Sequence, residues 1–99
     1  MTKYYSTREL ADASRTTLRT IRFWESQGLF SAVERDRLGE RQFTEAHLQR
    51  ARVIAAASMA GMSLDAIKSA STPGLAHEIE KGANFMVRVL DQIDKDFGL

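Results

Sequence analysis

The sequence predicts a mainly α-helical fold: two short helices joined by a tight polar turn, a small β-hairpin, two further helices and a long terminal helix. Three observations carry this expectation. Hydroxyl residues stand at helix N-cap positions along the chain, at Ser6, Thr17, Thr44, Ser63 and Thr72. The helical period lapses once, between Leu29 and Phe43, around a charged segment that ends in glycine. Beyond Pro73, apolar residues recur at heptad spacing almost to the C-terminus.

The elements follow in order. Ser6-Thr7-Arg8-Glu9 has capping-box spacing, so a first helix is expected from about Thr7 to Ala13, burying Leu10 and Ala11. Tyr4 and Tyr5 before it form a short strand or pack over the helix start. Ser14-Arg15-Thr16-Thr17 is polar and partly β-branched, and it breaks the helix. Thr17 then caps a second helix to about Gln27, with Gly28 as its stop. Together these two make a helix-turn-helix candidate.

LFSAV and ERQF flank Glu34-Arg35-Asp36-Arg37-Leu38-Gly39, which reads as a small hairpin with a basic tip. Thr44 caps a third helix, about Glu45 to Ala60, ended by Gly61. Ser63 caps a short fourth, with Leu64 and Ile67 inward and its end near Ala70. Thr72 as N-cap and Pro73 at the first helical position start the last helix. Within it Ile79, Ala83, Met86, Leu90, Ile93 and Phe97 are spaced 4-3-4-3-4, a seam of nearly three heptads. Some twenty-five helical residues extend ~37 Å, more than the width of a domain of some seventy residues. Pairing with a second copy's helix is therefore preferred over folding back on the third and fourth helices. Gly82 permits close approach.

Composition narrows the function. The 99 residues hold no cysteine, which excludes disulfides, thiol redox chemistry and cysteine-ligated zinc. The N-terminus is polar, without a signal-peptide pattern, and the longest apolar run, VIAAASMA, is too short to span a bilayer. A soluble, cytoplasmic protein with no membrane partner is expected. Net charge is +1, yet residues 1–53 carry ten lysines and arginines against seven acidic residues, and nine of those ten cations are arginine. The planar arginine fork suits phosphates and guanine edges. A solvated charged face accounts for the same count.

At helical spacing Arg15, Arg19 and Arg22 (i, i+4, i+7) fall on one face, beside a stripe of Leu18, Ile21 and Trp24 suited to a core. A helix clamped by its apolar side and offering cations on the other is what docking in a DNA major groove requires. His47 and His77 have no ligand partners at metal spacing and are expected at the surface or in caps; Met59, Met62 and Met86 are expected to pack. No nucleophile–base pair or phosphate-cradling glycine loop is present, so no enzyme, cofactor or metal is expected.

The motifs, taken in order, resemble the MerR family of transcription regulators. They are Thr20-Ile21-Arg22-Phe23-Trp24-Glu25, Gly28-Leu29, Arg35 to Phe43 with Gly39 and Arg41, Thr44 with Leu48, and Gly61-Met62-Ser63-Leu64-Asp65-Ala66-Ile67. The resemblance runs from about Tyr5 to Ala70. It implies a winged helix-turn-helix DNA-binding domain over residues 1–71 and a dimerisation helix over 72–99, binding a palindromic promoter site as a homodimer. Carried over by position, Arg19 and Arg22 lie on the recognition helix and Arg35 and Arg41 on the wing. Arg37 joins them from the same basic tip, and Thr17 offers its hydroxyl and N–H to a phosphate.

Three positions depart from the family pattern. Arg15 stands where glycine is frequent, Trp24 where a tyrosine often reaches the DNA backbone, and Glu40 where an aromatic is usual. Periodicity places Trp24 in the core. For Glu40, repelling phosphate and orienting Arg41 both stay open. Family members that sense metals or drugs carry residues beyond the dimerisation helix, so a regulator without a built-in sensor is expected, with RNA polymerase or another regulatory protein as a further partner. Two other functions stay open: an excisionase-like factor that bends DNA for recombination, and a protein-interaction module that binds no DNA.

Overall fold

The computed structural model describes residues 3–81. Helix α1 spans Thr7–Ser14, α2 Leu18–Ser26, α3 Glu45–Met59 and α4 Leu64–Ser69; strands β1, Glu34–Arg35, and β2, Arg41–Gln42, lie between α2 and α3. Residues 72–81 are helical and are called α5.

The hydroxyl caps form as their spacing requires. Ser6 accepts from the Glu9 N–H while the Glu9 carboxylate accepts from the Ser6 N–H, closing the expected box on α1. Thr17, Thr44 and Ser63 each accept from the N–H three residues on. Each bond satisfies a donor that the first helical turn leaves without a backbone partner. At α5 the cap shifts by one residue. Ser71, not Thr72, accepts the Gly74 N–H, and the Leu75 N–H reaches the Ser71 carbonyl, so Pro73 stands second rather than first in the helix. A proline is tolerated there because no first-turn N–H has an intrahelical partner to lose.

Three helices end in the same way. After α2 the Gly28 N–H donates to Glu25 and the Leu29 N–H to Trp24, a Schellman closure that turns on Gly28 at φ 76°. Gly61 closes α3 with the same pair of bonds, to Ser58 and Ala57. After α1 the equivalent position is Arg15, at φ 57° and ψ 42°, with bonds from Arg15 to Asp12 and from Thr16 to Ala11. Arg15 is the one non-glycine residue of positive φ among the described residues.

The hairpin is shorter than LFSAV and ERQF suggest. β1 begins at Glu34, inside the segment expected to form the tip, and pairs antiparallel with β2, Glu34 opposite Gln42 and Arg35 opposite Arg41. LFSAV is not a strand, because Leu29 is consumed as the buried closing residue of α2 and Phe30 packs against the core. The tip is a compact turn. Asp36 accepts from the Leu38 and Glu40 N–H groups at 2.9 Å each, and the Gly39 N–H returns to the Asp36 carbonyl. Tyr5 and Phe43 exchange two backbone hydrogen bonds, so the chain start adds a bridge beside the exit of β2.

The core gathers residues from every helix. Leu10 and Ala11 of α1, Ile21 and Trp24 of α2, Leu48, Ala51, Ile54 and Ala57 of α3, and Ile67 of α4 are buried together with Leu29 and Phe43. α3 packs chiefly against α1, with Ala51 and Ala57 letting the backbones approach. Each fully buried Leu, Ile or Phe contributes about 1.5–3 kcal/mol. Two apolar expectations fail: Leu64 and Met59 are exposed, Met59 to 90%. Met59 ends α3 just before the Gly61 turn, where the helix has run past the core.

α5 begins on the same core. Leu75 is fully buried, although it lies beyond the boundary drawn at residue 71, and Ile79 packs half-buried one turn later. Ile79, the first residue of the expected seam, thus touches the chain's own core on part of its surface. Ala83, Met86, Leu90, Ile93, Phe97 and Gly82 lie outside the described residues.

Candidate nucleic-acid interface

The interface is built on α2. Ile21 and Trp24 are buried and Leu18 is half-buried, which fixes the helix against the core along one stripe. Arg19, Arg22, Phe23 and Ser26 are exposed on the remaining surface. Arg15 does not join them. The second helix starts only at Leu18, so Arg15 sits in the left-handed turn and the helical spacing that grouped it with Arg19 and Arg22 does not apply.

The turn between α1 and α2 is tied internally. Ser14 is buried, its hydroxyl donating to the Leu10 carbonyl at 2.7 Å and lying 3.0 Å from the Thr16 hydroxyl. The Thr17 hydroxyl accepts the Thr20 N–H and donates to the Thr20 hydroxyl at 3.0 Å. Its proton is thereby committed, and what the start of α2 offers an anion is backbone N–H groups. Trp24 is 5% exposed and belongs to the core, as its periodicity requires. Its visible edge borders a cleft of about 420 Å³ between the α1–α2 turn and α3.

The hairpin meets α2 through one ion pair. Arg41 Nε donates to both oxygens of Glu25, at 2.6 and 2.8 Å, with both side chains about three-quarters buried. Arg41 is thus oriented from the last turn of α2, by Glu25 rather than by Glu40. Arg35 turns along the hairpin and donates to the Gly39 carbonyl at 2.7 Å, bracing the tip, while Arg37 is exposed there. Leu38, at the apex, is 86% exposed.

Behind the hairpin lies His47. It is 5% exposed and completes a capping box on α3, its Nδ1 accepting the Thr44 N–H at 2.9 Å. An accepting Nδ1 puts the ring hydrogen on Nε2, which faces the Ser31 hydroxyl and carbonyl at 3.1 and 3.2 Å. The edge-on rings of Phe30 and Phe43 flank it at centroid distances of 6.1 and 5.7 Å. Of the two roles expected for this histidine, capping is the one it fills. The imidazole joins the chain entering the hairpin to the chain leaving it. His77 is exposed.

Arg50 performs a comparable task one turn further along the same side of α3. Its three nitrogens donate to the carbonyls of Leu29, Ala70 and Ile67 at 2.9, 2.6 and 3.0 Å. One guanidinium therefore serves the carbonyl ends of α2 and α4, and burial lowers its proton affinity from the ordinary arginine value. Counting front-half arginines as one basic surface hid this role. Glu25, which orients Arg41, was also missed, as was the exposure of Phe23 on α2. Phe23 had a visible signal, since it falls outside the stripe of Leu18, Ile21 and Trp24.

A pair of short helices joined by a tight turn, the second clamped by apolar residues and followed by an arginine-bearing hairpin tied to it, defines a winged helix-turn-helix. The pattern of the MerR HTH family regulatory proteins matches residues 5–71, about two thirds of the chain, and the chain belongs to that family. It is 37% identical over 87 residues to the HTH-type transcriptional regulator ZntR homolog of Haemophilus influenzae, a match covering 88% of this chain and 63% of that protein. An uncharacterized HTH-type transcriptional regulator of the same species is 36% identical over 64 residues, covering 65% of this chain and 47% of the other. The chain spans less than two thirds of the length of either relative. Among solved structures, HiNmlR, a MerR family regulator lacking the sensor domain and bound to promoter DNA, superposes with a TM-score of 0.67 at 25% identity, over 96% of this chain and 88% of that one. A MerR family regulator from Bacillus thuringiensis shares the fold, with a TM-score of 0.63 at 22% identity, over 96% and 97% of the two chains.

Proposed function

We propose that this chain is a DNA-binding transcription regulator that lays α2 in the major groove and the hairpin along the adjacent backbone, and that two copies bind a two-fold site. The observation that carries the reading is the division of α2. Ile21 and Trp24 lock one side into the core, while Arg19 and Arg22 stand exposed on the rest and Glu25 ties the helix to the hairpin arginine. Cations on a fixed frame suit base edges and phosphates, where position matters as much as charge. Family membership and the promoter-bound HiNmlR support the same reading.

Arg19 and Arg22 are assigned to base edges or phosphates in the groove, Arg35, Arg37 and Arg41 to the wing, and the backbone N–H groups after Thr17 to a phosphate. The residues proposed to join two copies are Ile79, Ala83, Met86, Leu90, Ile93 and Phe97; Ile79 also packs on its own core. RNA polymerase or another regulatory protein is the proposed further partner, and the cytoplasm the proposed location. No helix among the described residues is long and apolar enough to cross a membrane.

The test is selection of bound fragments from random duplexes, followed by footprinting. One protected site with two-fold sequence symmetry supports the regulator. A ladder of direct repeats supports an architectural factor instead, and failure to recover any duplex at low salt leaves a protein-interaction module.

A further inference from the structure

Phe23 stands out on the proposed DNA-facing side of α2. It is 47% exposed, whereas Ile21 and Trp24 on the same helix are 0% and 5% exposed. At 3.6 residues per turn Phe23 lies nearly opposite the midpoint of the buried stripe, one turn beyond Arg19. The Ser26 hydroxyl donates back to the Phe23 carbonyl at 2.7 Å, so its proton is committed to the helix backbone. A phenyl group facing water along an arginine-bearing surface forgoes burial that the fold gives to neighbouring apolar residues.

A benzyl side chain neither donates nor accepts a conventional hydrogen bond, so it serves no phosphate and reads no polar base edge. The apolar feature of the major groove is the thymine C5-methyl group. Residues four apart on a helix have Cβ atoms about 5–6 Å apart, and base pairs rise about 3.4 Å. A side chain one turn from Arg19 therefore addresses a base pair within one or two steps of the one Arg19 meets. We infer that Phe23 is a specificity-determining residue that packs its ring on a thymine methyl in the major groove, beside the base or phosphate held by Arg19. This rests on the reading of α2 as the groove helix.

Deoxyuridine replaces thymine with the loss of that methyl alone. In a symmetric duplex recovered by selection, each thymine is replaced in turn, and affinities are measured for the native chain and for Phe23→Ala and Phe23→Leu. One thymine in each half of the site is expected to matter. Its replacement lowers native affinity about 4-fold per methyl buried, leaves Phe23→Ala binding unchanged, and retains part of its effect with Phe23→Leu. Phe23 is exposed, so the variants are expected to keep the native helical circular dichroism. If the native chain binds its duplex and every replacement costs the native and Phe23→Ala chains equally, the inference is overturned while the regulator stands. If no duplex is bound at all, both fall together.

Discussion

Glu25, in the last turn of α2, holds the Nε of Arg41 on β2 through both carboxylate oxygens, at 2.6 and 2.8 Å. The pair fixes the angle between the helix and the hairpin. It leaves the outer nitrogens of Arg41 with no hydrogen bond among the described residues. Glu25→Gln keeps the shape but removes the charge, and a loss of about 0.5–1 kcal/mol in stability is expected. Duplex affinity is expected to fall as well, although the variant is one unit more positive. Titration of the native and variant chains at fixed salt checks this, and tighter binding by Glu25→Gln contradicts a positioning role.

Arg15 occupies a conformation that costs a non-glycine residue roughly 1–2 kcal/mol. Glycine adopts it freely but loses more backbone entropy on folding. Arg15→Gly is therefore expected to stabilise the chain by about 0.5–1 kcal/mol, the difference between those two terms. Urea unfolding is expected to show a higher midpoint with an unchanged slope. A lower midpoint means that the Arg15 side chain contributes more than its backbone costs.

Arg50 spans three carbonyls with a planar fork, and a single ammonium nitrogen does not reproduce that span. Arg50→Lys is expected to cost about 2–3 kcal/mol, from charge-assisted bonds lost and part-buried carbonyls left without a donor. Thermal or urea unfolding measures it. A change below about 0.5 kcal/mol, the size of an ordinary surface substitution, contradicts the assigned role.

The Tyr5 hydroxyl donates to Glu45 at 2.7 Å, joining the chain start to the first turn of α3. That bond first, and the Gln49 amide second, hold the Glu45 carboxyl below its ordinary range, while the same bond to Glu45 raises the Tyr5 phenol. The signs are opposite in consequence. The Glu45 contribution is present above the unfolded carboxylate range and lost as pH falls through the lowered folded value. The Tyr5 contribution is present below the unfolded phenol range and lost as pH rises through the raised folded value. Tyr5→Phe is expected to flatten both limbs of a plot of unfolding midpoint against pH, most visibly at the acid end. Parallel curves for the two chains contradict the linkage.

Capping chemistry made most of the fold legible. Ser6, Thr17, Thr44 and Ser63 each supply a hydroxyl to a helix start, and the stripe of Leu18, Ile21 and Trp24 gave the inward side of α2. Reading went astray where two local signals compete. LFSAV lies where the helical period lapses and so reads as a strand, yet Leu29 closes a helix; Ser71 and Thr72 both suit an N-cap, and only geometry chooses Ser71. At the site, exposure of Arg19 and Arg22 follows from the helical period. The pairing of Arg41 with Glu25, sixteen residues away in sequence, does not, because it depends on where the hairpin lands. Arg50 looked like one more front-half cation until the carbonyl ends of two helices were seen to meet at it.

The central claim is that a rigidly held arginine surface on α2 and the hairpin grips duplex DNA. The dependence of duplex affinity on salt between 50 and 200 mM, for the native chain and for Arg19→Ala/Arg22→Ala, tests it most directly. Each phosphate neutralised adds about 0.9 to the log–log slope. A native affinity falling by orders of magnitude, with a weaker affinity or a shallower slope in the double variant, is the expected result. A native chain whose binding is flat with salt, or a double variant that binds as tightly and as steeply as the native chain, contradicts it.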